Sequence, residues 1–232
     1  MLHTKHFRDN IRDIVFGLED GMVSTLGVVV GIAIGSGDRW ITLLAGVVVI
    51  FVESLSMSAG SYLSSKSERE SLQREIDEEL QQIRENHGEE MREWRQFYKD
   101  RGLQDDDIAQ IENHYRDNEK LLLEDMMHKE LGITHRFLRN PGENALFMLF
   151  SYFLGGLVAL SMYVFLPLAL AVPVSVVFTF VVLFLVGFAK GRFVGIAPLR
   201  SGLEMVLISF AAAAIGFAVG KIFGAFLPAG TV

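Results

Sequence analysis

Five long apolar stretches alternate with short polar connections along most of the chain. Each approaches the 20 or so helical residues that cross a hydrocarbon layer about 30 Å thick. The fourth stretch has almost no polar residue at the three- and four-residue spacing of a soluble amphipathic helix. The pattern therefore predicts an all-α membrane protein with five transmembrane helices, near residues 14–35, 40–63, 145–168, 172–189 and 202–226.

A different pattern separates the second span from the third. Apolar residues recur there at helical spacing, and Gly88, Gly102 and Gly132 punctuate them. We expect three helices, near residues 67–87, 89–100 and 105–131. The first should continue the second span, because no Pro or Gly interrupts residues 61–85. The predicted domains are an amino-terminal tail with spans 1–2 (1–66), an inserted helical domain (67–139) and spans 3–5 (140–232).

The charges are as unevenly distributed as the apolar residues. The 232 residues carry a formal charge of −7, with 28 acidic and 21 basic side chains. Residues 66–139 hold 20 of the acidic and 13 of the basic ones, so this segment accounts for the whole net charge. There is no cysteine, so any metal site must use carboxylates, imidazoles or thioethers. We expect no nucleic-acid partner and no prosthetic group.

Basic residues in the connections predict the orientation in the bilayer. They concentrate before the first span and between the fourth and fifth spans, and the positive-inside rule places such segments in the cytoplasm. The amino terminus and the acidic domain should therefore be cytoplasmic, and the carboxyl terminus should lie on the other side. Without targeting features or cysteine, a prokaryotic plasma membrane is favoured. The basic residues are Lys5, Arg8, Arg12, Lys190, Arg192 and Arg200.

The first two predicted spans contain three carboxylates. An ionisable group costs about 2.5 to 3.5 kcal/mol there on insertion scales and is a functional candidate by default. Asp20 lies on the same helix face as Ser24 and several glycines, which form a small, polar stripe along which an ion could pass. Glu19 could instead be an interfacial charge near the cytoplasm. The third carboxylate, Glu53, lies near the middle of the second span.

Glu53 is four residues before Met57, so its carboxylate and the thioether should point the same way. Mixed oxygen and sulfur ligands suit a first-row transition ion better than magnesium or calcium. Met57 could instead face lipid or the core. We predict a transport pathway that contains Asp20, Glu53, Met57 and Glu19.

The acidic domain offers a second set of carboxylates. Their spacings of three and four place them on shared helix faces, and a Met-Met pair followed by Glu repeats the sulfur and carboxylate chemistry of the spans. A run of Glu can also be a solvated helix face. The candidate metal ligands are Glu75, Glu78, Glu79, Glu89, Glu90, Glu93, Met126, Met127 and Glu130.

Three short motifs resemble those of one known family. They are DIVFG with DGMVS at residues 13–24, SMSAG at 56–60, and MMHKE at 126–130. Together with the number of spans and the position of the inserted helices, they resemble the vacuolar iron transporter family over nearly the whole chain. The resemblance implies a homodimer that moves divalent iron out of the cytosol in exchange for protons, through a pathway lined by the first spans.

Carried over by motif, the resemblance implies that Asp20 and Met57 are pathway residues. It implies cytoplasmic ligands at Glu79, Glu90, Glu93, Met126, Met127 and Glu130. Gln82 stands where a further Glu is expected, which puts the number of bound ions in doubt, although Glu75, Glu78 or Glu89 could substitute. Ser61 stands where a Glu often follows the second-span Gly, so Glu53 is the candidate for the missing membrane carboxylate.

The leading hypothesis is a proton-coupled transporter of divalent iron, with manganese as a second substrate, and not an enzyme. A carboxylate that must lose its proton to bind metal links the two ions. One alternative is a membrane-anchored di-iron carboxylate protein, but such sites use two Glu-x-x-His pairs and only Asp125-x-x-His128 comes near that spacing. A metal sensor or scaffold is a third possibility, against which the intramembrane carboxylates argue.

Overall fold

The computed structural model describes residues 10–116, 118–129 and 140–224, and every regular element in these ranges is an α-helix. Five helices are long and apolar enough to cross a membrane, as predicted. They are α1, α2, α6, α7 and α8 of the following list. The helices are α1 Ile11–Ser36, α2 Arg39–Glu85, α3 His87–Asp100, α4 Asp105–Arg116, α5 Glu119–Lys129, α6 Pro141–Phe165, α7 Leu168–Val194 and α8 Pro198–Gly224.

A two-residue turn joins the first two spans. Gly37 ends α1 in the left-handed conformation, with φ +66°, which glycine adopts without steric cost. Asp38 then caps α2, since its carboxylate oxygen Oδ1 accepts the backbone N–H groups of Trp40 (2.6 Å) and Ile41 (2.9 Å). The Gly37 turn and the Asp38 cap together bring the start of α2 next to the end of α1.

The third and fourth spans differ from the prediction at their shared boundary. We expected a helix through residue 168 and a loop reaching Pro173. The structure ends α6 at Phe165 and begins α7 at Leu168, with Pro173 inside that helix. Pro167 disfavours helical conformation at the preceding residue, so the break falls there. The prediction therefore began the fourth span four residues too late, at residue 172 instead of Leu168.

The acidic segment confirms one expectation and corrects another. Helix α2 runs for 47 residues, so the second span does continue into this segment. The single helix expected over 105–131 is instead divided into α4 and α5. Asn118 lies between them, and its side-chain oxygen accepts the backbone N–H of Leu121 at 3.1 Å, which is the geometry of a helix N-cap.

The chain forms two compact units. Met1–Leu63 and Pro141–Val232 make up the first, which we call the membrane unit, and Ser64–Asn140 makes up the second, which we call the acidic unit. Helix α2 contributes its first part to the membrane unit and its remainder to the acidic unit. In the membrane unit, α1 is the central helix and packs against α6, α7 and α8.

Small residues let the backbone of α1 come into direct contact with the backbones of α6 and α8. A Cβ on Gly21 would lie 2.3 Å from the backbone oxygen of Tyr152 in α6. On another face of α1, a Cβ on Gly216 of α8 would lie 2.2 Å from the backbone oxygen of Gly27, and Gly220 meets Gly31 in the same way. The glycine ridges of the first and fifth spans therefore pack against each other within one chain, which the sequence left open.

The acidic unit has a core of its own around Trp94, whose side chain is fully buried. Tyr98 and Tyr115 pack against the indole with ring centroids 4.6 and 4.7 Å away. Charged residues cover the outside of this core, as expected for amphipathic helices. The buried members of the core are Ile83, Met91, Trp94, Ile108, Leu122 and Met126.

Candidate functional site

Two of the intramembrane carboxylates are brought together from different helices. Asp20 on α1 and Glu53 on α2 lie close enough for their charges to interact. The neighbouring Glu19 interacts with Asp20 and also with the cationic Lys190 of α7. Asp20 and Glu53 thus interact as like charges on neighbouring spans, and Lys190 acts on Glu19 with the opposite charge.

Tyr152 completes this group, and sequence analysis missed it. Its side chain is fully buried in α6, and its hydroxyl is hydrogen-bonded to the hydroxyl of Ser24 on α1. The carboxylates of Asp20 and Glu53 both interact electrostatically with the tyrosine hydroxyl. In an apolar span the sequence pattern does not distinguish a tyrosine from the other hydrophobic residues, so its neighbours are known only from the fold. We call Asp20, Glu53, Ser24 and Tyr152 the carboxylate cluster.

An elongated groove begins at this cluster. A cavity of about 670 Å³ runs between α1 and α8 from Val23 and Ser24 to Ser36. Gly27, Gly31 and Gly35 line its floor, so the small stripe predicted along α1 does border open space. The walls are otherwise apolar, and the two serine hydroxyls are the polar side-chain groups in the described lining.

Asp13 is a second residue that sequence analysis did not single out. Its side chain is 2% exposed, and its oxygen Oδ1 accepts the Ser61 hydroxyl of α2 at 3.4 Å. Position 61 is where the family resemblance led us to expect Glu. A Glu there would face Asp13 and make a second carboxylate pair, whereas Ser61 leaves Asp13 as a single buried acid.

The two candidates on α2 differ in exposure. Glu53 is exposed on the surface of the single chain, and Met57 is partly buried. They are one helical turn apart, as predicted. Around Glu53 the exposed face of α2 is apolar, with Phe51, Val52 and Leu55 each more than half exposed.

The predicted ligands of the acidic unit do not form one group. Glu79 and Glu90 are buried, at 4% and 6% exposure, and Met126 belongs to the core around Trp94. The remaining described glutamates are on the surface, where Glu78 pairs with Arg74. Glu130 lies outside the described residues. The other surface positions are Glu75, Glu89 and Glu93, and Met127 is partly buried.

Within the described ranges, no three His, Asp or Glu side chains are gathered closely enough to hold a metal ion. Asp125, which sequence analysis considered in a di-iron pair with His128, has other partners. It accepts the indole N–H of Trp94 at 2.7 Å and the hydroxyl of Tyr98 at 3.1 Å. It also pairs with Lys129. An aspartate held by three donors is a poor metal ligand, which weakens the di-iron hypothesis.

Lys129 is enclosed by aromatic rings next to this aspartate. Its ammonium nitrogen lies 3.4 Å from the ring centroid of Tyr98 and 5.2 Å from that of Trp94, within cation–π range. Burial lowers the pKa of Lys129, while the Asp125 carboxylate acts in the opposite direction. This arrangement fixes the carboxyl-terminal end of α5, which carries Met126 and Met127.

Five apolar helices of spanning length, which carry interacting carboxylates on α1 and α2, are typical of a polytopic membrane protein of the transporter class. The chain belongs to the VIT family, whose sequence profile it matches over residues 11–221. This confirms the resemblance drawn from the short motifs. The match includes α1 and α2 with the carboxylate cluster, and all of the acidic unit.

The relatives of this chain are named as transporters. Vacuolar iron transporter 1 of Arabidopsis thaliana is 33% identical over 224 residues, which cover 95% of this chain and 90% of the relative. Vacuolar iron transporter 2 of Oryza sativa subsp. japonica is 33% identical over 227 residues, covering 94% and 91%. The vacuolar iron transporter of Plasmodium falciparum is 26% identical over 226 residues, covering 93% and 82%.

The chain is accordingly a membrane metal transporter rather than an enzyme. Metal is its substrate. The relatives named here come from plants and a protist and carry vacuolar names, so they give no support to the prokaryotic plasma membrane that we expected from composition.

Proposed function

We propose that this protein moves divalent iron out of the cytosol, with manganese as a second substrate, in exchange for protons. The observation that carries the proposal is the charge interaction of Asp20 with Glu53, which come from two different membrane helices. Asp20 lies one helical turn before Ser24, which lines the groove along α1. Two carboxylates in a bilayer are costly unless they bind a cation or a proton. Iron is proposed as the metal because the relatives are named iron transporters.

The ligand chemistry supports a first-row transition ion. Asp20 and Glu53 offer oxygen ligands from two helices, and Met57 offers sulfur one turn beyond Glu53. Such a mixed set binds divalent iron and manganese. It discriminates poorly between them, because the two ions are neighbours in the affinity order of the first-row metals. Magnesium and calcium prefer oxygen alone.

Proton exchange follows from the same carboxylates. A carboxylate binds metal only after it loses its proton, so metal binding and proton release are linked. Glu53 is our candidate for the exchanging group, because it can lie against the bound ion with Met57 and Asp20. The proton that it releases then moves down its gradient as the metal moves in the other direction.

A homodimer is part of the proposal. Glu53 is exposed on the apolar face of a single chain, where lipid would surround a carboxylate at a cost of about 2.5 to 3.5 kcal/mol. A second copy packed on this face would enclose the carboxylate cluster and close the groove from the side. The glycine ridges are already occupied within one chain and are not the reason for this step.

We further propose that the amino terminus and the acidic unit lie in the cytosol. Lys190 and Arg192 lie near the end of α7 and Arg200 lies in the first turn of α8, so the positive-inside rule places the connection between these helices on the cytosolic side. The acidic unit then gathers metal before transport. Its buried Glu79 and Glu90, with Met127 and Glu130, are the proposed ligands.

The test is metal flux into proteoliposomes at several imposed pH gradients. Glu53→Gln keeps the shape of the side chain but cannot titrate, so we expect weak metal binding and loss of the dependence of flux on the gradient. Glu204→Gln is the matched control, because Glu204 is an exposed carboxylate on α8 paired with Arg200. It should behave as the wild type.

The opposite result would be clear. A folded Glu53→Gln protein whose flux still follows the pH gradient would remove Glu53 as the exchanging group. A variant that lost stability but kept coupling would make Glu53 a structural carboxylate.

A further inference from the structure

The acidic unit contains a cavity whose lining is cationic. The cavity has a volume of about 430 Å³, and the guanidinium groups of Arg92, Arg95 and Arg116 border it. One carboxylate, that of Glu112, also borders it. Three arginines converge on one cavity although the segment as a whole carries the net negative charge of the protein.

Glu112 neutralises only part of this charge. Its side chain is 9% exposed, and its two oxygens accept from Arg95 and Arg116 respectively. These two bonds, the one to Arg95 first, hold the pKa of Glu112 below its ordinary value, so it is ionised at neutral pH. The lining of the cavity thus holds three guanidinium groups and one carboxylate, and Glu89 lies outside the lining at 3.8 Å from Arg92.

The arginines retain donors for a further partner. A guanidinium has five N–H groups, and Glu112 takes one from Arg95 and one from Arg116. Arg92 donates from Nε to the Gly88 carbonyl at 3.2 Å, and its ion-pair partner Glu89 is 3.8 Å away, at the edge of contact. Its side chain is 77% exposed, so its terminal N–H groups are accessible.

A helix terminus adds to the positive potential. Helix α3 has 14 residues and begins at this cavity, where His87 and Gly88 form part of the lining. The side chain of Asn86 makes no capping hydrogen bond. The N–H groups of Glu89 and Glu90 donate to the Asn86 carbonyl, so those of His87 and Gly88 are the first-turn donors that face an anion at the cavity. The carboxylates of Glu89 and Glu90 offset part of the helix dipole.

We propose that this cavity, bordered by Arg92, Arg95, Arg116 and the start of α3, binds a small multivalent oxyanion. Its volume lies within the range of about 300–1,000 Å³ typical of small-molecule sites. Guanidinium groups bind carboxylate and phosphate oxygens in pairs, and several of them around one cavity favour an anion of two or more charges. Glu112 serves as the anchor that keeps Arg95 and Arg116 facing the cavity.

Phosphate-type and polycarboxylate anions share this chemistry, and the cavity offers one feature that separates them. Met91 is buried at 6% exposure and forms an apolar part of the lining. A carbon skeleton can contact it, whereas a phosphate or pyrophosphate cannot gain from it. The proposed site is independent of the transport proposal, since none of its cationic residues belongs to the carboxylate cluster.

The experiment is isothermal titration calorimetry of the full-length protein in detergent, in metal-free buffer, with inorganic phosphate, pyrophosphate and citrate. We expect saturable binding of at least one anion to the wild type. Arg92→Glu should weaken it at least about tenfold, because an attractive charge becomes a repulsive one inside the site. The matched control is Arg74→Glu, which changes the net charge equally at an exposed position outside the cavity.

A second variant tests the geometry. Arg95→Lys keeps the charge and a partner for Glu112 but removes the planar fork, so it should weaken binding several-fold while circular dichroism stays unchanged. Tighter binding of citrate would assign the site to polycarboxylates, and tighter binding of pyrophosphate would assign it to phosphates. No saturable binding of any of the three anions to the wild type would overturn the proposal. Equal weakening by Arg92→Glu and Arg74→Glu would also overturn it, as a general charge effect.

Discussion

The two units differ in how many charged side chains they carry and in how these side chains are paired. In the membrane unit the charged side chains are few, and several interact across helices, as Asp20 does with Glu53 and Glu19 does with Lys190. In the acidic unit many charges are paired along one helix at the surface, where Arg74 and Glu78 are 80% and 56% exposed. A carboxylate inside a span is therefore stronger evidence of function than a run of glutamates on a solvated helix.

The units also differ in how their helices meet. Helix α1 of the membrane unit contacts its neighbours through glycines at backbone distance, whereas the acidic unit is built around the large side chain of Trp94. Backbone contacts cannot adjust when an atom is added, but side chains can change rotamer. The same small substitution should therefore be more harmful in the membrane unit.

The largest effect should come from Asp20→Ala. It removes one of the two facing carboxylates, so metal flux into proteoliposomes should fall at least about a hundredfold, which corresponds to about 2.7 kcal/mol of lost ion stabilisation. The fold should persist, because the change removes a like charge beside Glu53. Glu204→Ala, at an exposed carboxylate on α8, should keep normal flux. Near-normal flux in a monodisperse Asp20→Ala protein would remove Asp20 from the pathway.

The next effect concerns packing in the membrane unit. Gly21→Ala places a methyl group 2.3 Å from the backbone oxygen of Tyr152, so α1 and α6 must separate. We expect the folded state to lose about 1–3 kcal/mol, the usual cost of overpacking. Gly60→Ala is the control, because a Cβ there meets no atom within 4 Å. Thermal unfolding in detergent measures both, and equal midpoints would contradict the close contact.

A smaller effect is expected in the acidic unit. Trp94→Phe removes the hydrogen bond to Asp125 but leaves Tyr98 and Lys129 on that carboxylate. The expected loss of stability is about 1–2 kcal/mol, from the lost hydrogen bond and from the smaller ring left in a buried core. Trp40→Phe is the control, since Trp40 is 74% exposed. A loss as large as that of Gly21→Ala would break the distinction between backbone and side-chain packing.

The five spans were predictable because length and hydrophobicity are local properties of each segment. The break at Asn118 could also have been found, since an Asn directly before a Glu is a typical helix start, but the apolar spacing continued across it. The fourth span was predicted to begin at residue 172 instead of Leu168, because hydrophobicity alone does not mark the residue at which a helix begins. These errors concern boundaries and leave the elements unchanged.

The composition of the carboxylate cluster was less predictable. Spacing along one helix placed Asp20 beside Ser24 and Glu53 beside Met57, but the partner of each helix is a tertiary property. Tyr152 joins the cluster from a span 128 residues beyond Ser24, which no local pattern reports. The glycine ridges were visible, yet only packing shows that α1 and α8 use them on each other.

The smallest expected effect is a pH dependence within the acidic unit. Hydrogen bonds from Arg95 and then Arg116 lower the pKa of Glu112 from its ordinary value of 4.5, so the folded state binds that proton less readily than the unfolded state. The stabilisation is therefore fully present above about pH 4.5 and is lost as the pH falls through the lowered pKa. Glu112→Gln should be less stable than the wild type at neutral pH, and the difference should shrink on acidification.

Trp40→Phe leaves Trp94 as the remaining tryptophan, so urea unfolding followed by its fluorescence reports this unit. Glu68→Gln, at an exposed carboxylate of the same unit, should leave the pH profile unchanged, and a constant difference between Glu112→Gln and the wild type from pH 7 to pH 3 would show that the two arginines do not stabilise the ionised carboxylate.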